Sequence, residues 1–167
     1  QGMGRIRVQF HWMKENERSP WLRVASPHAG RGKGFFALPE IGEEVIVSFE
    51  GDHPGKPYVA GSVYNGRSTC DFANAQNDIK VFQSRSGNKI ELDDRAGSIL
   101  IRDKDGNCMK LDGAGTVQVS ANDTLVLRCG KAIIGLDKDG TITINGKEIA
   151  MSANGEVRIQ GEKIRLN

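Results

Sequence analysis

Pairs of apolar residues two apart return throughout the second half of the chain. They are Ile99/Ile101, Met109/Leu111, Val117/Val119, Leu125/Leu127, Ile134/Leu136, Ile142/Ile144, Ile149/Met151, Val157/Ile159 and Ile164/Leu166. Successive first members are 10, 8, 8, 9, 8, 7, 8 and 7 residues apart, a period close to eight. Alternation at period two predicts short strands with one apolar face. The units are punctuated by Asp105-Gly106, Asp112-Gly113, Asn122-Asp123, Asp139-Gly140, Asn145-Gly146 and Asn154-Gly155, dipeptides that tolerate the positive φ of abrupt turns. With two inward aliphatics per strand and no aromatic residue after Phe82, one chain cannot close a core here. Two arrangements remain, an antiparallel meander packed on something else or identical chains wrapping together. A three-fold axis would bring about six aliphatics into each layer, and the pattern favours this intertwined trimer, with all of these pairs as its core. At about 4.8 Å per strand layer, the units from residue 98 onward predict roughly 43 Å of rod.

The first half carries a different pattern. In "RIRVQFHW", Ile6, Val8 and Phe10 alternate with polar residues, and "WLRVASP", "FFALP", "EEVIVSFE" and "YVAGSVYNG" read as four further strands. "MKENERSP" is a charged loop, and "HAGRGKG" a glycine-rich connector. Five short strands without a helical period predict a small closed barrel of the OB type.

Composition sharpens the division. All five prolines, and eight of the ten aromatic residues, lie before residue 66. The predicted organisation is an OB barrel over 1–66, a linker with the first needle strands over 67–97, and the trimeric repeat over 98–167. Net charge is +2 and evenly spread, unlike the basic stripe of a nonspecific nucleic-acid binder. Cys70, Cys108 and Cys129 are odd in number and lack paired spacing, so they read as reduced thiols made in a reducing compartment. No apolar run has the length of a membrane span and no signal-peptide pattern opens the chain. It begins with Gln rather than Met, which reads as a piece of a longer protein.

Candidate chemistry is sparse. "DKDG" occurs at Asp103–Gly106 and Asp137–Gly140, but the position that a calcium loop reserves for glycine holds Ile142 in the second copy. His11, His28 and His53 stand beside no cysteine at metal-ligand spacing, and no metal or cofactor is assigned. "HAGRGKG" does not meet the phosphate-loop pattern. Asp93-Asp94 and Glu43-Glu44 are adjacent and point to opposite faces of a strand, which makes them poor acid/base pairs. No catalytic residue is assigned, and the chain is not expected to be an enzyme.

Further marks carry a resemblance. They are Gly4-Arg5-x-Arg7-Val8-x-Phe10, Trp21-x-Arg23-Val24, Ala29-Gly30 with Gly34, Leu38-Pro39-x-Ile41-Gly42-x-Glu44-Val45, Gly51-Asp52, Pro57 and Gly61-Ser62-Val63-Tyr64-Asn65-Gly66. Together they resemble the OB segment of VgrG proteins, the spikes of bacterial type VI secretion systems, which are similar to contractile phage baseplate spikes. "SRSGNKIELDD" resembles the first coils after that OB domain. The resemblance implies an all-β homotrimer, an OB-fold barrel leading into a β-helix or β-prism needle. It implies that the chain is made in the cytoplasm, assembled into the secretion apparatus and ejected, crossing a target membrane only by mechanical penetration. Implied partners are the hub region and Hcp tube behind the barrel, secreted effectors, and a PAAR-repeat tip protein on Lys163, Ile164, Arg165, Leu166 and Asn167. The alternative is an OB module that binds nucleic acid or carbohydrate on a β-repeat stalk; even charge and the lack of an aromatic ladder in the sequence argue against it.

Overall fold

The computed structural model describes residues 3–165, which fall into two compact units divided between Asp71 and Phe72. Both are built of strands, and the fold class is all-β, as expected.

In the first unit, β1 (Arg5–Ile6), β2 (Leu22–Val24), β5 (Glu44–Phe49) and β6 (Pro57–Val63) form a sheet in the order β1-β2-β6-β5. β2 and β6 run parallel, with Arg23 opposite Tyr58 and Val24 opposite Val59; β5 and β6 are antiparallel, with an irregularity between Ile46 and Val47. The core is Val8, Leu22 and Val59, against which Ile6, Phe10, Val24, Val45 and Val47 pack. The "RIRVQFHW" strand is regular only at Arg5–Ile6. Beyond it the chain is held by Ser19, itself buried. Val8 N donates to Ser19 Oγ at 3.0 Å, Ser19 N donates to Val8 O at 2.8 Å, and Ser19 Oγ donates to Pro20 O at 2.8 Å. These bonds satisfy buried polar groups that a ladder would otherwise serve, and they seat Val8 in the core.

The glycine-rich connector departs from expectation. It folds as a hairpin, β3 (Ala29–Gly30) with β4 (Lys33–Gly34), while "FFALP" forms no strand. Gly32 at φ 71° and Gly34 at φ 140° permit the reversal, and a Cβ on Gly34 would lie 2.7 Å from His28 O. Only glycine fits there.

The second unit contains two sheets. β7 (Ile79–Gln83), β8 (Lys89–Asp93), β9 (Ser98–Arg102), β10 (Cys108–Leu111) and β11 (Val117–Ser120) follow one another in a five-stranded antiparallel meander. β12 (Thr124–Cys129), β13 (Ala132–Asp137) and β14 (Ile142–Asn145) form a three-stranded one. From Ile79 to Asn145, therefore, each strand pairs within the same chain, where intertwining with other chains was expected. The turns explain it. Gly87, Gly97, Gly106, Gly113, Gly115, Gly130 and Gly140 all adopt positive φ, and within each sheet the chain reverses between consecutive strands.

After Asn145 no strand occurs among the described residues. Five residues of the expected trimer core among those described fall in this stretch. Met151, expected as a trimer-core residue, belongs to no strand of the single chain and is 69% exposed there. Ile149, Val157, Ile159 and Ile164, expected in the same trimer core, likewise lie exposed in irregular segments of the single chain. The physical reason is that an alternating segment buries its apolar side only when a strand or a second layer lies against it, and none lies beside this one. Leu166 and Asn167 lie outside the described residues. Asn145-Gly146 and Asn154-Gly155, expected as turns, lack the positive-φ glycine that the earlier hairpins use.

Candidate functional site

Cross-strand register turns the sequence repeat into a surface. In the five-stranded sheet, Phe82 stands opposite Ile90, Ile90 opposite Ile101, Ile101 opposite Met109, and Met109 opposite Val119. A second column runs Leu92, Ile99, Leu111, Val117. The three-stranded sheet repeats the arrangement as Leu127–Ile134–Ile144 and Leu125–Leu136–Ile142. Directly opposed residues share a face, so each sheet presents two columns of apolar side chains on one side. The other side is mixed: a column Val81–Glu91–Leu100–Lys110–Gln118 runs across it, and Lys89 and Glu91 form an ion pair there at 2.6 Å.

Water reaches these columns. Most of their side chains are 38% to 66% exposed, with Leu111 and Leu125 only partly buried. Contiguous apolar surface of this kind marks an interaction face. Each residue of the expected trimer core from Ile99 to Ile144 falls in one of the columns. Ile149, Met151, Val157, Ile159 and Ile164 do not join them, because no paired strand carries them. Phe82, Ile90 and Leu92 extend the columns upstream of the expected core, and the pair Ile90/Leu92, nine residues before Ile99, is their signal in the sequence.

The sheet edges are held turn by turn. On one edge, Asn88 Oδ1 accepts from Lys104 N at 2.9 Å, and Asn107 Oδ1 accepts from Asn122 N at 2.9 Å. Asn122 Nδ2 in turn donates to Asp105 O. Each asparagine thus ties its own turn to the next one along that edge, a ladder that sequence reasoning did not find because its rungs are 15 and 16 residues apart. On the other edge, Gly113 at φ 76° lies so close to the preceding turn that a Cβ would meet Ala96 O at 2.3 Å.

The aspartates serve the same turns. Asp103 is held below the usual carboxylate range by the Asn107 side-chain amide and by the N–H groups of Asp105, Asn107 and Gly106, with burial opposing. Asp112 is lowered by the N–H groups of Thr116 and Ala114, and Asp139 by that of Thr141. Both "DKDG" copies are accordingly turn devices. Among the described residues, no three His, Cys, Asp or Glu side chains converge as metal ligands.

The first unit has a cleft of about 1330 Å³ whose lining includes Arg7, Arg18, Trp21, Glu40, Glu43 and Glu44. Both signs of charge line it. Nearby aromatics engage one another or a cation: Phe10 and Trp12 stack at 4.5 Å, and the Arg7 guanidinium lies 5.8 Å from the Trp21 ring centroid.

Residues 1–64 match the family described as the type VI secretion system/phage-baseplate injector OB domain. Over 98% of its length the chain is similar to the type VI secretion system spike protein VgrG1a of Pseudomonas aeruginosa, at 31% identity. The chain belongs to the VgrG spike family. VgrG4b of the same organism is 42% identical over 56% of the chain. The actin cross-linking toxin VgrG1 of Vibrio cholerae is 26% identical over 98% of it. The chain spans 35% of VgrG1a, 13% of VgrG4b and 15% of the Vibrio protein.

Proposed function

We propose that this chain is the shaft of a type VI secretion spike, in which three copies bring their apolar sheet faces together around one axis to form a needle. The observation that carries this reading is the pair of in-register apolar columns, which a single chain leaves open to water. Burying apolar surface contributes about 25 cal/mol per Å², and a three-fold prism covers all three faces at once. Its role is mechanical. Ladder bonds within each face, asparagine ties along one edge and close glycine packing along the other resist local opening when the needle is driven forward. No residue is assigned to catalysis.

Partners follow from the same reading. Hub and Hcp tube lie behind the OB unit, a PAAR-repeat tip protein docks on Lys163–Asn167, effectors travel with the assembly, and a target membrane is crossed by force alone. Synthesis is cytoplasmic and assembly takes place in the apparatus. Among the described residues, no helix is long and apolar enough to cross a membrane.

Light scattering or native mass spectrometry tests the core of the reading. The expected species is three times the 18.2 kDa chain, about 55 kDa. A folded monomer overturns it.

A further inference from the structure

The sheet of the first unit is open at both ends. In the order β1-β2-β6-β5, β1 and β5 are each flanked by one strand only, and among the described residues no ladder joins them. A closed barrel was expected there, and closure requires the two end strands to meet. The cleft of about 1330 Å³ occupies this seam instead. Its lining includes residues 5–11 from one side and residues 43–45 and 47 from the other.

Backbone groups on both sides stand without strand partners. Val8 turns its N–H and C=O to Ser19, so Arg7 and Gln9, one residue to either side, turn theirs the opposite way. Among the described residues, no backbone–backbone bond engages Arg7 or Gln9. β5 bonds β6 along one edge, and no strand lies along its other edge. Open edges of this kind are templates for a further strand.

The side chains on the two sides alternate in the same way. Val8, Phe10, Val45 and Val47 belong to the core cluster, yet of these only Val8 is buried and the other three are half-buried. Arg7 and Glu44, at alternate positions, are exposed. Glu44 is fixed by Asn65, whose Nδ2 donates to Glu44 Oε2 at 2.6 Å. A strand laid in the seam would cover Phe10, Val45 and Val47 with every second side chain. Its intervening side chains would stand between an arginine and a glutamate, where neutral polar residues fit and a run of one charge sign meets a like charge. Glu40, Glu43 and Glu44 disfavour a polyanion in the cleft on the same ground.

We propose that this seam is a strand-addition site: an extended peptide segment, alternating apolar with neutral polar residues, inserts between residues 7–10 and β5 and closes the barrel. About five residues span it, at about 3.3 Å each. Ladder bonds to the two edges supply affinity, and the half-buried apolar side chains supply specificity. The inference concerns the first unit alone and does not rest on the trimer proposed above.

The test uses the full chain and a blocked seven-residue peptide of valines alternating with threonine and glutamine. Its control is the same peptide N-methylated on alternate residues, which keeps every side chain but cannot form both ladders. Hydrogen exchange read by mass spectrometry locates the binding. The unmodified peptide is expected to slow exchange at least tenfold in residues 5–11 and 44–49 and to leave β7–β14 unchanged, while the N-methylated peptide has no effect. Both tryptophans of the chain, Trp12 and Trp21, lie in this unit, and a saturable change in their fluorescence should accompany the protection. Equal protection by both peptides, protection confined to the repeat, or no protection overturns the proposal. So does the same footprint from oligothymidylate or chitotetraose in place of the peptide, which would give the cleft to nucleic acid or carbohydrate. Light scattering on the same sample keeps the two readings apart. A monomer that binds the peptide defeats the trimer and leaves the seam standing, and a trimer that does not bind it does the reverse.

Discussion

The two units differ in what a single copy can finish. The first closes a core of its own, small as it is: Leu22 is 2% exposed and Val59 is 0%. The second is longer and carries a more regular apolar pattern, yet its one buried residue among those described is Gly135. Regular hydrophobic alternation produces a face, whereas a core also needs something to lie against that face. In the first unit the partners are irregular, non-repeating segments such as the stretch from Arg7 to Phe10 folded back over the sheet. In the second, every unit resembles its neighbour and none turns over to cover another. Repetition gives an extended apolar face, which in the proposed trimer is covered by further copies.

The substitution expected to separate the units most is Ile144→Asp. In the proposed trimer it puts three carboxylates into one desolvated layer, at a cost on the order of 3–5 kcal/mol per chain. Loss of the trimer by light scattering, with the first unit still folded by its near-ultraviolet signal, is the expected result. An unchanged trimer would move the apolar columns to the outside. Leu22→Ala is the mirror experiment, costing about 2–5 kcal/mol through the cavity it leaves. It should melt the first unit while the trimer persists; joint unfolding in one transition would show that the two units are not independent.

Gly113→Ala asks whether the edge packing matters. The new Cβ would meet Ala96 O and its φ is unfavourable, so a destabilisation of about 1–3 kcal/mol is expected in a thermal or denaturant melt of the repeat. Acid should act more gently. Asp103, Asp112 and Asp139 are lowered in the folded chain, so they contribute stability above the ordinary carboxylate value near about 4, and it is lost as pH falls through their folded values. Each aspartate replaced by Asn should flatten the acid limb of the melting temperature. Lys138→Ser should change least. It removes an exposed contact to Asp123 at 2.6 Å, worth about 0–1 kcal/mol, while the bond from the backbone N–H of residue 138 to Asp123 O is kept.

Much of this organisation is legible in the chain itself. Period-two aliphatics at eight-residue spacing determine strands with one apolar face, because side chains alternate across any extended backbone. Asp-Gly turns determine where the early units reverse, and the family marks from Gly4 to Gly66 identify the OB unit. Tertiary structure decided the rest. Register alone brings Ile90, Ile101, Met109 and Val119 into one column, since it depends on how many residues each turn consumes. The same alternation leaves Met151 exposed, because no strand of its own chain pairs beside it. Whether a glycine reverses the chain depends on its φ: Gly140 and Gly146 follow similar residues, Asp139 and Asn145, yet only the first adopts the left-handed backbone. Ser19 as the clasp of Val8, and Asn88 and Asn107 as ties between successive turns, join residues far apart in sequence. No local pattern encodes those bonds, because they exist only once the strands between their partners have paired.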